Sequence, residues 1–339
     1  MPAPPPAYGY GYGYGYGYGY GYGYAAPPVH KPGVVALRPL GLGDMLDGAF
    51  KTIRRNPQAM IGLAAVVTTA FLVLPTLVTL GLAAAGLLDY SVDAPGNQDG
   101  AIATTGAQYL GALFGALATV LLNGMIVSVV AQAVLGRRST MGEAWAATQG
   151  RRLRLIGLLL LNMALGLVLL GIPVAIGLLL GFQVGLGTGL LVGVPLSIAT
   201  FVLFVYLQTR NFLLAPAALV LEKTGISEAL GRAGELSRGQ WWRLFGIQLL
   251  TVVIAGVAGQ VIAIPFGVLG AFAGLAMEGT AAGLVLVLSS YLSQVLVSAV
   301  TTPFSSAVTA LQYVDQRIRK EALDVELIAA SQRTEPTPG

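Results

Sequence analysis

Long uncharged stretches separate short basic clusters along most of the chain. Thirty-three residues without charge lie between Arg55 and Asp89, 37 run from Gly100 to Gly136, 55 from Leu155 to Thr209, 34 from Leu244 to Met277 and 36 from Gly279 to Val314. A helix needs roughly 20 apolar residues to cross the hydrocarbon core. Four of the stretches are therefore single spans, and the 55-residue stretch holds two. The glycine run from Gly181 through Gly185 and Gly187 to Gly189 predicts a tight turn between those two. The pattern predicts an all-α integral membrane fold with six transmembrane helices at about 58–88, 107–135, 155–180, 189–209, 245–273 and 281–312. Leu, Val, Ala, Ile and Gly occupy every side of these spans, unlike the single apolar stripe of a surface helix.

Composition agrees. Only 10% of residues are charged and mean hydropathy is +0.75, whereas a soluble domain needs roughly 25% charged residues to solvate its surface. With no cysteine, disulfides, thiolate metal sites and a cysteine nucleophile are excluded. The net charge of +4 matters through its placement. Lysines and arginines collect before the first span, between the second and third, between the fourth and fifth, and after the sixth, so all 19 fall on one side. Positive charge marks the cytoplasmic face. The expectation is a multi-pass plasma-membrane protein with both termini cytoplasmic, facing lipid and not nucleic acid.

The basic segments share a plan. Each opens with a small residue and an acid (Gly43-Asp44, Gly142-Glu143, Ser227-Glu228), continues as a short amphipathic helix and ends in arginines. The first span of each following hairpin carries a proline in similar surroundings: Leu74-Pro75, Ile172-Pro173 and Ile264-Pro265. Proline frees a backbone carbonyl and kinks a helix, so Pro75, Pro173 and Pro265 are the expected kinks. Three parallel repeats follow, at about 42–135, 140–222 and 226–313, each an interfacial helix plus a helical hairpin. The three tryptophans, Trp145, Trp241 and Trp242, all lie in the interfacial segments, which suits the headgroup level. Arg54, Arg55, Arg151, Arg152, Arg154, Arg238 and Arg243 are the candidate contacts for anionic lipid headgroups, at about 1 kcal/mol for each basic residue near the surface.

Residues 1–36 form a Pro/Gly/Tyr-rich tail, with tyrosine and glycine alternating from Tyr8 to Tyr24 and the sole histidine at His30. Alternating glycine has high backbone entropy and packs nothing, so the tail is expected to be disordered and cytoplasmic, and is a candidate contact for protein partners. The six-helix domain is expected at 37–326 and a flexible cytoplasmic end at 327–339. The uncharged polar residues within spans are Asn123, Gln132, Asn162, Gln183, Gln248, Gln260 and Gln294. Interhelical hydrogen bonding is their ordinary role, at about 1 kcal/mol or less each. No span contains an ionisable residue of the kind that marks an ion path. No nucleotide, hydrolase or metal motif is present, so neither an enzyme nor a cofactor or metal site is expected.

Several pieces resemble the actinobacterial integral membrane family of the glycerophosphoryl diester phosphodiesterase membrane domain type. They are Leu37-Arg-Pro-Leu-Gly-Leu-Gly-Asp-Met-Leu-Asp-Gly-Ala-Phe50 with Arg54-Arg-Asn-Pro57, Leu135-Gly-Arg-Arg-Ser-Thr-Met-Gly-Glu-Ala-Trp145, Ala215-Pro-Ala-Ala-Leu-Val-Leu-Glu222 and Gln312-Tyr-Val-Asp-Gln-Arg-Ile-Arg-Lys-Glu-Ala-Leu-Asp324. The resemblance covers most of residues 37–326. It implies a membrane domain and carries over no phosphodiesterase residue, hence no activity. Two functions are expected from these features. The first is a non-enzymatic scaffold, regulatory or lipid-interacting module. The alternative is a transporter or lipid-handling channel with proline-kinked helices around a pseudo-threefold centre, marked by a cavity lined by Asn162, Gln183, Gln248 or Gln260.

Overall fold

The computed structural model describes residues 33–35, 38–87, 98–277 and 280–322, which include no strand. Helix α1 (Leu42–Arg55) leads through a π-helical turn (Gln58–Gly62) into α2 (Leu63–Ala84), and α3 (Gln98–Val134) returns. Short α4 (Met141–Ala147) precedes α5 (Arg152–Gly166), a second π turn (Leu167–Gly171) and α6 (Ile172–Gln183). Helix α7 (Leu186–Leu207) returns through a third π turn (Gln208–Phe212) into α8 (Ala215–Leu221). Then follow α9 (Ile226–Ser237), α10 (Trp241–Ala276) and α11 (Thr280–Glu321).

Among the described residues, six helical stretches are long and apolar enough to cross a membrane: Gln58–Ala84, Gly100–Val134, Arg152–Gln183, Leu186–Leu221, Trp241–Ala276 and Thr280–Glu321. They coincide with the six expected spans; the first ends short of its expected limit at 88, and the last four overrun theirs at both ends. The last is the longest. Its 42 residues make a rod of about 63 Å at 1.5 Å per residue. The helix continues past Val314 because its charges pair along it: Arg319 binds Asp315 and Arg317 binds Glu321, both at i,i+4 spacing.

The core lies where α2, α3 and α11 pack together, and α10 packs along α11. Met60, Leu122, Met125, Ile126 and Leu311 are fully buried there. The α6/α7 hairpin stands apart, packing chiefly on itself and on the adjoining π turns. Its glycines explain this. The chain turns at Val184-Gly185, where Gly185 has φ of +135°, and not across the whole expected run from Gly181 to Gly189. Gly181 and Gly189 are helical because the two backbones meet there: a Cβ on Gly189 would lie 2.6 Å from the Gly177 carbonyl oxygen.

The connections bearing basic residues meet at one end of the bundle, called the basic end below. Arg55 donates to the Gly136 carbonyl, the Ser139 amide donates to Asn56 Oδ1 at 3.1 Å, and Arg154 donates to the Thr224 carbonyl at 3.2 Å. Helices α1, α4 and α9 each start with an acid that accepts from the N-cap amide. Glu143 accepts from the Thr140 amide at 2.9 Å while Thr140 Oγ1 accepts from the Glu143 amide at 3.2 Å. Asp44 and Glu228 likewise accept from the amides of Gly41 and Gly225, at 3.0 and 2.9 Å. These caps satisfy donors that a helix start leaves open. Helix α4 has only seven residues, so it depends most on its cap. Thr140→Ala should destabilise the chain by about 1 kcal/mol, read as a lower thermal midpoint, with Thr140→Ser close to wild type.

The apolar faces of α1 and α9 are covered by protein: Met45 and Ala49 in α1 and Ala229, Ala233 and Leu236 in α9 are buried. Residues 33–35, expected within the disordered tail, are docked. Val34 donates its amide to the Ala133 carbonyl at 3.1 Å and Val35 packs beside Gly48. The tail before them and the terminal stretch 327–339 lie outside the described residues, as do Asp89, Asp93 and Glu278.

Pro75 and Pro265 lie inside α2 and α10, while Pro173 opens α6 directly after the π turn Leu167–Gly171. Pro195 in α7 and Pro303 in α11 are further helix-interior prolines, so the feature is not confined to the first span of each hairpin.

Candidate ligand cavity

Helix α10 packs mainly on α11 and reaches the second hairpin at the π turn Gln208–Phe212. A cavity of about 880 Å³, open along part of its surface, lies between α3, α5, that turn, α8, α10 and α11. Its lining has two chemistries. Val120, Leu158, Leu213, Val252, Ala263 and Val297 supply aliphatic wall, while Asn123, Asn162, Gln208, Gln248, Gln260 and Gln294 supply amides. Helix α11 adds hydroxyls from Ser293, Thr301, Thr302, Ser305, Ser306 and Thr309. Among the described residues, no lysine, arginine, aspartate, glutamate or histidine lines it.

Some of these groups are paired with one another. Asn162 Nδ2 donates to Gln208 Oε1 at 3.0 Å, and Ser306 donates to Asn123 Oδ1. Thr301 and Thr309 donate to carbonyls four residues earlier, at 2.8 and 3.0 Å, leaving oxygen lone pairs towards the cavity. Gln248 Oε1 is buried without a partner. Gln260 and Gln294 are exposed. Lone amides at this depth of a membrane are costly unless something polar meets them.

The spans are also joined by ionisable groups, all at the basic end. Asp315 is fully buried. Its carboxylate accepts from the Leu40 amide at 2.7 Å, from Arg319 Nε at 2.9 Å and from Arg243. Arg243 and Arg319 also donate to the Leu40 carbonyl, at 2.6 and 3.1 Å, clamping the segment before α1 to α10 and α11. A second cluster joins α8, α9 and α11. Arg232 Nε donates to Glu222 at 3.0 Å and its guanidinium pairs with Glu321, while Tyr313 donates to Glu222. Burial pulls the Arg232 pKa down, but the Glu222 hydrogen bond and the Glu222 and Glu321 charges outweigh it and hold it above its ordinary value. Lys320 donates to the carbonyls of Glu235 and Arg238 at 2.7 and 2.8 Å, holding the end of α9 over α11.

Asn162, Gln248 and Gln260 converge on the cavity, as do Asn123 and Gln294. Gln183 does not. It is exposed at the far end of α6. Gln208 and the α11 hydroxyls were not anticipated from sequence. The only signal for the latter is their spacing: Thr302, Ser305 and Thr309 recur at i, i+3 and i+7 on one helix face.

The seven candidate lipid-contact arginines divide. Arg243 is committed to Asp315 and Leu40. Arg55, Arg151 and Arg154 donate to backbone carbonyls of Gly136, Val220 and Thr224. Arg152 stacks 3.8 Å from the centre of the half-exposed Trp145 ring. Arg54 and Arg238 are exposed.

A second concavity, about 760 Å³, follows the α6/α7 hairpin and offers only Ser197 as a side-chain hydrogen-bonding group among aliphatic and aromatic neighbours. Acyl chains would fill it without specificity.

The model of one family, a domain of unknown function (DUF7847), matches residues 40–315. The match begins at Leu40 and ends at Asp315, the two residues joined by the buried clamp. No curated protein and no solved structure matches the chain.

Proposed function

The chain belongs to the DUF7847 family, and we propose that it is a lipid-handling membrane protein which takes an amphiphile into the cavity between its helices. One observation carries this reading: uncharged amides and hydroxyls gather in a cavity lined by five of the six helices long enough to cross a membrane. A packed bundle would have hidden those groups against each other. Here aliphatic walls suit acyl chains and the amide face suits a polar head, the two halves of an amphiphile.

The orientation with both termini cytoplasmic and the plasma-membrane location rest on the side holding all the lysines and arginines. The three-unit repeat is supported by a shared helix start, in which Asp44, Glu143 and Glu228 each accept from the amide three residues earlier. The reading as a lipid-interacting scaffold keeps one observation of its own, the Arg152–Trp145 stack with exposed Trp242 at the same end. That is an arrangement for resting on headgroups, and it would hold the protein in place while the cavity works.

Gly256 gives a clean test. It lines the cavity, and a Cβ there would meet nothing within 4 Å. Gly256→Trp should obstruct the cavity at that level while the helices pack as before. The expected result is wild-type thermal stability with about a tenfold loss of lipid retained through detergent purification, measured by native mass spectrometry. Equal lipid retention in both proteins would remove the reading.

A further inference from the structure

The lining of the cavity says more about its occupant than that it is amphiphilic, and the inference here rests on the lipid-handling reading above. Gln260 lies 16 residues before the end of α10 and Gln294 lies 14 residues after the start of α11. At 1.5 Å per residue both sit roughly 20–25 Å along the hairpin from its turn. They are therefore level with one another at membrane depth, exposed and without a protein partner among the described residues. Gln248 adds its unpartnered, buried Oε1.

The same polar face continues beyond the cavity. Ser305, Thr309, Gln312 and Gln316 recur at i, i+4, i+7 and i+11, one side of α11. Gln312 and Gln316 are fully buried, and neither the nitrogen nor the oxygen of either amide has a partner. A buried amide left without a partner forfeits the hydrogen bonds it made to water. Four unsatisfied atoms on one face, in line with a polar cavity, form a row awaiting hydrogen bonds.

Charge decides the class of occupant. A phosphate or carboxylate head would be desolvated among neutral groups, because no lysine or arginine lines the cavity. The guanidinium groups of Arg243 and Arg319 are already held by Asp315 and the Leu40 carbonyl. An ammonium head would find no carboxylate. A carboxamide presents two donors and an acceptor on one planar group. That matches hydroxyls, each of which both donates and accepts, and it matches them best when several are carried close together. We infer that the cavity takes an uncharged, polyhydroxylated head, a sugar or polyol, with Gln248, Gln260 and Gln294 as its hydrogen-bonding face.

The test titrates the full chain in detergent with three lipids of identical acyl chains: a monohexosyl diacylglycerol, a phosphatidylglycerol and a phosphatidylcholine. Free hexose is added as a competitor. Binding is read by native mass spectrometry. The hexosyl lipid should bind about tenfold tighter than either phospholipid, and Gln260→Met/Gln294→Met should erase that preference. Those two sites are exposed, so methionine there leaves the packing intact; an unchanged thermal midpoint checks this. Phosphatidylcholine, which has no head hydroxyl, binding as tightly as the hexosyl lipid, but still blocked in Gly256→Trp, would overturn the polyol head and leave lipid handling standing. Binding of all three lipids unaffected by Gly256→Trp would overturn both. Displacement of the hexosyl lipid by millimolar free hexose would uphold the polyol head and overturn its attachment to a lipid.

Discussion

Asp315→Ala should be the most damaging single substitution at the basic end, costing about 3–5 kcal/mol. The carboxylate is fully buried and holds Arg243, Arg319 and the Leu40 amide at once. Removing it leaves two guanidinium groups facing each other and the Leu40 carbonyl with no countercharge, which is worse than removing the whole group. That difference supplies the control. Asp315→Leu combined with Arg243→Met and Arg319→Met removes charge and countercharge together and should recover much of the loss. The readout is the thermal midpoint of the detergent-solubilised protein, with limited proteolysis of residues 33–41 as a local probe, because the clamp fixes that segment through Leu40. Wild-type stability of Asp315→Ala would show that the clamp does not hold the basic end together.

The family match and the clamp share their limits at Leu40 and Asp315. The clamp ties the first turn before α1 to the last part of α11, closing the helical body on itself 275 residues apart. Within that closure the cavity is bounded by α10 and α11 on one side and by α3, α5 and α8 on the other. Small shifts of α9, tied by Lys320 and Arg232, would reach the end of α11 without first disturbing the α2, α3 and α11 core.

The six spans were legible in the sequence because lipid imposes a length and a composition that few other environments demand. Their ends were less so. The stop expected near 312 rested on the appearance of charge, but Asp315, Arg317, Arg319 and Glu321 pair within the helix and extend it. The partnership of Arg243 with Asp315 was invisible, since an arginine beside tryptophans at a membrane end reads as an anchor whatever it binds. The cavity was half legible. Asn123, Asn162, Gln248, Gln260 and Gln294 stand out in apolar runs, yet the same residues would serve as interhelical bonds if packed. Only the position of α10 relative to α5 decides between those outcomes, and no local pattern encodes it. Gln208 was missed because it falls at the edge of a span, and the α11 hydroxyls because Ser and Thr bond back to their own helix so often that their presence carries little signal.

Gly193→Ala and Gly189→Ala should each open the α6/α7 hairpin, although glycine to alanine ordinarily strengthens a helix by about 1 kcal/mol. The geometry reverses that sign. A Cβ on Gly193 would lie 2.6 Å from the Gly177 Cα, and one on Gly189 2.6 Å from the Gly177 carbonyl oxygen and 2.7 Å from the Gly181 Cα. Those atoms are backbone, so no side chain can rotate away and the helices must separate, at about 1–3 kcal/mol for the overpacking. Two neighbouring glycines set the reference. A Cβ on Gly181 comes only to 4.0 Å of Gly189 and one on Gly187 meets nothing within 4 Å, so alanine at either should be neutral or mildly stabilising. The chain has no cysteine, so a pair introduced on α6 and α7 can be spin-labelled without background. The expected result is a longer label separation and a lower thermal midpoint for Gly189→Ala and Gly193→Ala, with both unchanged for Gly181→Ala and Gly187→Ala. A uniform response across the four would mean that helix propensity, and not backbone contact, sets the stability of this hairpin.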